Sequence, residues 1–162
     1  MYLKVILAFI FIKLIGNKLC LGIPECGVRS ANFSSKETRV VGGKGVAIGQ
    51  YPWVVAIFRT EDCSNFEQIC GGTIISERWV VTAGHCVCPR NPEAYRILAG
   101  TNHIGKLDVP SRKLYRVSQI FIHPDYSDAY YKNDIALVRT LTSIDISSGE
   151  IYINRICLPS VK

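Results

Sequence analysis

This 162-residue chain is defined first by what it does without. It has no uninterrupted run of about 20 apolar residues, the length a membrane-spanning helix needs. The greasiest stretch, Val5 to Ile12, is broken by Lys13 before Leu14-Ile15-Gly16 resumes it. There is no basic run, so the electrostatic footprint of a nucleic-acid binder is missing. There is no Cys-x-x-Cys pair, the usual nucleus of a structural zinc site. Internal repeats, low-complexity tracts and heptads are also lacking, which sets aside solenoids and coiled coils. What remains is a composition 48% apolar and 20% charged, that of a globular domain rather than a disordered segment.

The N-terminus has its own character. Lys4 precedes the short apolar centre, and Cys20 and Gly22 supply small residues where a peptidase would cut. Residues 1–22 are therefore expected to be a secretory signal, with no membrane anchor. Its removal takes Lys4, Lys13 and Lys18 and no acid, so the net charge falls from +6 to +3. Cys20 leaves with it, and seven cysteines become six. An even number in an exported chain points to disulfides. Asn32-Phe33-Ser34 is a glycosylation sequon that agrees with a secreted, extracellular location.

From Ile23 to Arg39 the residues are mostly small and polar, with no period of strand or helix, as in an exposed tether. After Val40 the texture changes to short β-branched runs bounded mainly by Gly, Pro, Asn or Asp. Val54–Phe58, Gly72–Ile75, Trp79–Val81, Tyr95–Leu98, Tyr115–Ile120 and Ile135–Val138 read as strands, and Ala83–Val87 as a helical turn. Short strands at such close spacing imply an all-β antiparallel barrel or sandwich.

Two residues carry chemistry. A hydroxyl attacks a carbonyl poorly unless a base removes its proton. Histidine suits that task, because an ordinary pKa of about 6.5 leaves it largely neutral and able to accept. A buried carboxylate fixes the imidazole tautomer and stabilises the imidazolium that forms. His85 is the candidate base: Trp79-Val80-Val81-Thr82 feeds it from a strand into a small-residue turn, and Cys86 can pin it. Asp134 is the candidate orienter, since it opens an apolar strand where a carboxylate would be half-buried and in need of a partner. His103 and His123 sit in turn-like contexts, as do Asp125 and Asp128, and are read as surface or capping residues.

Ala83-Gly84-His85-Cys86 and Asn133-Asp134-Ile135-Ala136-Leu137 together resemble the signatures of the trypsin/chymotrypsin family of serine endopeptidases. Arg39-Val40-Val41-Gly42-Gly43 resembles that family's activation junction, Tyr51-Pro52-Trp53 the lead-in to its first strand, and Cys70-Gly71-Gly72-Thr73-Ile74-Ile75 the strand before its histidine loop. His123-Pro124-Asp125-Tyr126 and Ile156-Cys157-Leu158-Pro159 are further family-like landmarks, so the likeness runs from about Cys26 to Pro159. Gly84 stands where the family usually has alanine, and Val40 where isoleucine is commoner.

The resemblance implies the first of two six-stranded antiparallel barrels, with a propeptide over 23–39 and the protease domain's N-terminal half over 40–162. It implies activation by a trypsin-like protease after Arg39, freeing the Val40 amino group to pair with an aspartate that this sequence does not contain. Gly42 and Gly43 would permit the backbone swing. It pairs Cys70 with Cys86 and Cys26 with Cys157, which leaves Cys63 for Cys88. A zinc site among Cys63, Cys70, His85, Cys86 and Cys88 is disfavoured by export. Tyr130 and Tyr131 would border the substrate cleft. Relatives sometimes hold calcium in the segment matching Ala99–Arg112, which offers one acid, Asp108, where the ion needs about six or more oxygens. No metal and no cofactor are expected. The implied partners are protein or peptide substrates, the activating protease and protein inhibitors.

No Gly-Asp-Ser-Gly-Gly motif occurs, and Ser143, Ser147, Ser148 and Ser160 lie in turn-like or linker segments. The expectation is a fragment of a secreted serine endopeptidase zymogen, inactive alone because nucleophile, oxyanion hole and specificity pocket are absent. The alternative is a non-catalytic homologue acting as a binding module or cofactor. A single-barrel product with an interaction role is a third reading.

Overall fold

In-out alternation decides the architecture. In Ala136–Thr140 the first, third and fifth residues are buried, while Leu137 faces outward. Val55 and Ile57 point inward from Val54–Arg59 in the same manner. A strand with one apolar face must bury it, and six such strands do so here by closing into a ring. The computed structural model describes residues 26–30, 46–62, 64–105, 109–146 and 152–159.

The strands are β1 (Val54–Arg59), β2 (Glu67–Ser76), β3 (Trp79–Thr82), β4 (Tyr95–Ala99), β5 (Lys113–Ile122) and β6 (Ala136–Thr140). They form a closed barrel in the order β1-β2-β3-β6-β5-β4, every neighbouring pair antiparallel. The interior is filled by Ile57, Ile74, Val80, Tyr95, Ile97 and Val138, each 0% exposed. On the outside, Phe121 and Leu137 are cross-strand partners, and the Trp79 ring lies 5.7 Å from that of Phe121.

All six expected strands exist, with different ends. The largest departure is β2, which starts at Glu67 rather than Gly72. Gly71 and Gly72 do not break it; they pair with Ala56 and Val55 in β1. A Cβ on Gly72 would sit 2.8 Å from Val80 Cγ1, so only glycine lets β2 and β3 approach this closely. β5 is longer at both ends, Lys113 to Ile122 instead of Tyr115 to Ile120. The expected turn at Ala83–Val87 is a short 3-10 helix, His85–Val87. A second, Pro92–Ala94, was not anticipated; the Asn91 side chain caps it by accepting from the Glu93 N–H.

Residues 26–30 lie along the barrel. The Cys26–Cys157 disulfide anchors them. The Gly27 N–H donates to Arg155 O at 2.8 Å and the Ser30 N–H to Gly49 O at 3.1 Å. Asn154 Nδ2 donates to Val28 O, and the Arg29 guanidinium lies 4.8 Å from the Tyr51 ring centre. The expected signal, the activation junction at Arg39 and Val40, and Asn32 fall outside the described residues, as do Asp108 and the segment 147–151. Among the described residues no helix is long and apolar enough to cross a membrane.

Candidate active site

β3 and β6 are neighbours, with Thr82 opposite Ala136 and Val81 opposite Leu137. The segment leaving β3 and the segment entering β6 therefore meet at one end of the barrel. His85 lies three residues past the end of β3 and Asp134 two before the start of β6. The sheet register alone brings them together.

Their contact is twofold. His85 Nδ1 is 2.7 Å from Asp134 Oδ2, and the His85 backbone N–H donates to Asp134 Oδ1 at 2.9 Å. Both carboxylate oxygens thus contact His85. The Asp134 side chain is 20% exposed and that of His85 45%, so the acid is sheltered while the imidazole reaches solvent. The His85 backbone N–H, followed by the imidazole, holds the Asp134 carboxyl below the ordinary carboxylate range, against burial that opposes it. An ionised carboxylate can only accept, so Nδ1 is the protonated nitrogen of the neutral ring and Nε2 carries the lone pair.

The surroundings fix this pair. Cys70 in β2 is bonded to Cys86, the residue after His85. Nε2 lies 3.5 Å from Cys86 Sγ and 4.0 Å from Cys70 Sγ. Thr82 Oγ1 donates to Gly71 O at 2.8 Å, tying the end of β3 back to β2. Gly84 has ordinary helical angles, yet a Cβ there would lie 3.2 Å from each of Asp134 Oδ1, Ile122 Cγ2 and Tyr126 Cδ2. The Tyr126 ring closes over this turn, and its hydroxyl donates to Asp128 at 2.7 Å. Burial, then the Asp128 and Asp134 charges, push the Tyr126 hydroxyl well above its ordinary pKa.

Asn133 and Tyr131 both have left-handed backbones, φ 53° and 49°. Asparagine tolerates this well, a tyrosine much less, so the loop is held there by its contacts. Asn133 Nδ2 donates to Asp125 O, and Ser127 pairs with Lys132. Tyr131 stands edge-on to the imidazole, ring centres 5.8 Å apart. This contact has no periodic signal in the sequence, although the family resemblance puts the loop at the cleft. Nor has the tight packing around Gly84. His123 behaves as a turn residue, accepting the Asp125 N–H at Nδ1.

Cys88 is exposed and bonded to no described cysteine, and its expected partner Cys63 lies outside the described residues. Cys70, His85 and Cys86 have donor atoms within 4.8 Å of one another. With the two sulfurs bonded together, they offer no thiolate to a metal.

The Trypsin family model matches residues 40–162. The chain belongs to the trypsin family. Its closed barrel is accordingly a single chymotrypsin-like barrel. It is 37% identical over 123 residues to U21-ctenitoxin-Pn1a of Phoneutria nigriventer, covering 75% of this chain and 49% of that protein. It is 35% identical over 137 residues to serine proteinase stubble of Drosophila melanogaster, covering 83% and 17%. The venom peptide isomerase heavy chain of Agelenopsis aperta is 36% identical over 121 residues, covering 74% and 49%. The chain spans about half or less of the length of these relatives.

Proposed function

We propose that this trypsin-family chain holds the N-terminal half of the protease domain of a secreted serine endopeptidase, made as a zymogen and acting on proteins or peptides. The observation that carries the reading is the 2.7 Å contact between His85 Nδ1 and Asp134 Oδ2, with the second carboxylate oxygen taken by the His85 N–H. That arrangement leaves Nε2 as the acceptor, on the ring edge turned away from the acid. His85 would take the proton of a serine hydroxyl supplied by the remainder of the protein, then return it to the leaving amine. Asp134 would hold the tautomer and offset the imidazolium charge.

Cleavage after Arg39 would start activity, by freeing the Val40 amino group. An activating trypsin-like protease and protein inhibitors are the further partners this reading names. Residues 1–22 would be the export signal and 23–39 the propeptide, kept on the barrel by Cys26–Cys157. The alternative is a non-catalytic homologue acting as a binding module or cofactor, which would lack the downstream serine.

The test uses the full-length protein and a peptide amide substrate. Asp134→Asn is expected to lower kcat by about 10⁴-fold, the loss that follows when the orienting acid of the triad becomes an amide. His85→Ala should lose at least as much. Wild-type rates in either variant, or a downstream sequence without a Gly-Asp-Ser-Gly-Gly-like nucleophile, would sink the proposal.

A further inference from the structure

Asp128 lies outside the pair that carries the proposed chemistry, yet a single bond ties it to them. We propose that Tyr126 is a positioning residue for His85 and Asp134: its ring, latched by Asp128, lies over the Gly84 turn, keeps water from Asp134 Oδ1 and so preserves the carboxylate's two-point hold on His85. This role rests on the chemistry proposed for that pair and adds the part that keeps the acid in place.

The first observation is one of space. A Cβ on Gly84 would lie 3.2 Å from each of Asp134 Oδ1, Ile122 Cγ2 and Tyr126 Cδ2. The room a side chain would take at this turn is therefore bounded by the carboxylate and by the tyrosine ring. Tyr126 is also partly buried against the barrel's core cluster. Asp134 Oδ1 is the oxygen that accepts the His85 backbone N–H at 2.9 Å. Water admitted here would compete for that oxygen. A carboxylate kept from water also acts more strongly on a nearby cation than a solvated one does.

The second observation is the latch. The Tyr126 hydroxyl donates to Asp128 Oδ1 at 2.7 Å, a bond strengthened by the charge on its acceptor. Burial, then Asp128, keep this hydroxyl protonated well past its ordinary range, so it stays a donor. The backbone beneath is fixed as well. The Tyr126 N–H donates to His123 O and the Ser127 N–H to Lys132 O, each at 3.0 Å. Asn133 Nδ2 reaches Asp125 O at the same distance, and the next residue is Asp134. One braced loop thus carries both the acid and its cover.

The site is tested first without activity, by amide hydrogen exchange on the ¹⁵N-labelled full-length protein. Val80, in the β3 ladder between β2 and β6, supplies the reference amide. In Tyr126→Ala the His85 amide should exchange at least about tenfold faster relative to Val80, because the opening is local. A general loss of stability would speed both amides together. Equal acceleration of the two, or an unchanged His85 amide, overturns the proposal. Tyr126→Phe and Asp128→Ala each break the latch alone and keep the test open should Tyr126→Ala not fold. Each should give a smaller rise, and the double variant no more than either single one. Additive rises would refute the latch.

The imidazolium forms only during the reaction, so the cover should act on kcat rather than on KM. Against a peptide amide, Tyr126→Ala should lower kcat by about tenfold with KM held within about twofold. A raised KM at unchanged kcat would make the ring a substrate contact and sink the positioning role. Wild-type rates in the full-length His85→Ala enzyme would remove the base assignment instead, and would leave the exchange result standing.

Discussion

Removing the Cys70–Cys86 bridge by Cys70→Ala with Cys86→Ala should destabilise the oxidised barrel by about 3 kcal/mol. The bridge closes a loop of sequence separation 16, and the chain-entropy relation gives about that figure for such a loop. It applies here because both ends belong to the cooperative structure. Cys70 is within β2, and Cys86 is 5% exposed in the turn that follows β3. Neither end can leave without opening the barrel. The Cys26–Cys157 bridge makes a useful contrast. Its separation of 131 gives about 5 kcal/mol by the same relation. Residues 26–30, however, lie along the outside on a few hydrogen bonds and the cation–π contacts of exposed Arg29 with Tyr51 and Trp53. They can peel away while the strands stay paired, so much of that entropy is recovered without unfolding. The shorter loop should therefore matter more. Urea unfolding followed by tryptophan fluorescence measures both, with Trp53 and Trp79 reporting on the barrel. A loss below about 1 kcal/mol for the Cys70/Cys86 pair, or a larger loss for Cys26/Cys157, would refute this reasoning.

Other expectations follow from the core and from the titrating groups. Ile97→Ala should cost about 2–5 kcal/mol in the same urea experiment, because a side chain 0% exposed leaves a cavity the closed barrel cannot easily collapse. Leu114→Ala, 56% exposed, should change stability by no more than about 0.5 kcal/mol. Asp134 has a folded pKa lower than its unfolded one, so its contribution is present above about pH 4 and lost as pH falls through the folded value. Unfolding midpoints from pH 5 downward should therefore drop less steeply in Asp134→Asn than in the parent. Tyr95 is shifted the other way: burial raises its pKa, so its contribution is complete below about pH 10 and declines as pH climbs through the folded value. Tyr95→Phe should cost about 1 kcal/mol at neutral pH by losing the bond to Pro89 O, and should flatten the alkaline decline.

Much of this fold could be read before any coordinates. The β-branched runs marked every strand, since alternation on a half-buried surface leaves a visible pattern. Strand ends were less legible. Glu67, Gln68 and Ile69 are exposed and carry no alternation, yet they belong to β2 because backbone pairing with β1 continues past the buried part. Gly71 and Gly72 looked like punctuation, and their true use, the close approach of β3, depends on a neighbour distant in sequence. The His85–Asp134 meeting could be expected from paired motifs but not from spacing, because it is produced by the β3–β6 register. Cysteine pairing shows the opposite limit. Counting cysteines says nothing about where two sulfurs lie.

Because the six strands close on themselves, the ring has no edge strand, and ladder pairing is missing only along overhanging parts such as Glu67–Gly72 of β2 on its β3 side. Elsewhere on the flank of this barrel, protruding groups such as Phe121 and Leu137 are what a partner would grip. Accretion by strand addition, the common hazard of β-rich proteins, is confined to those overhangs.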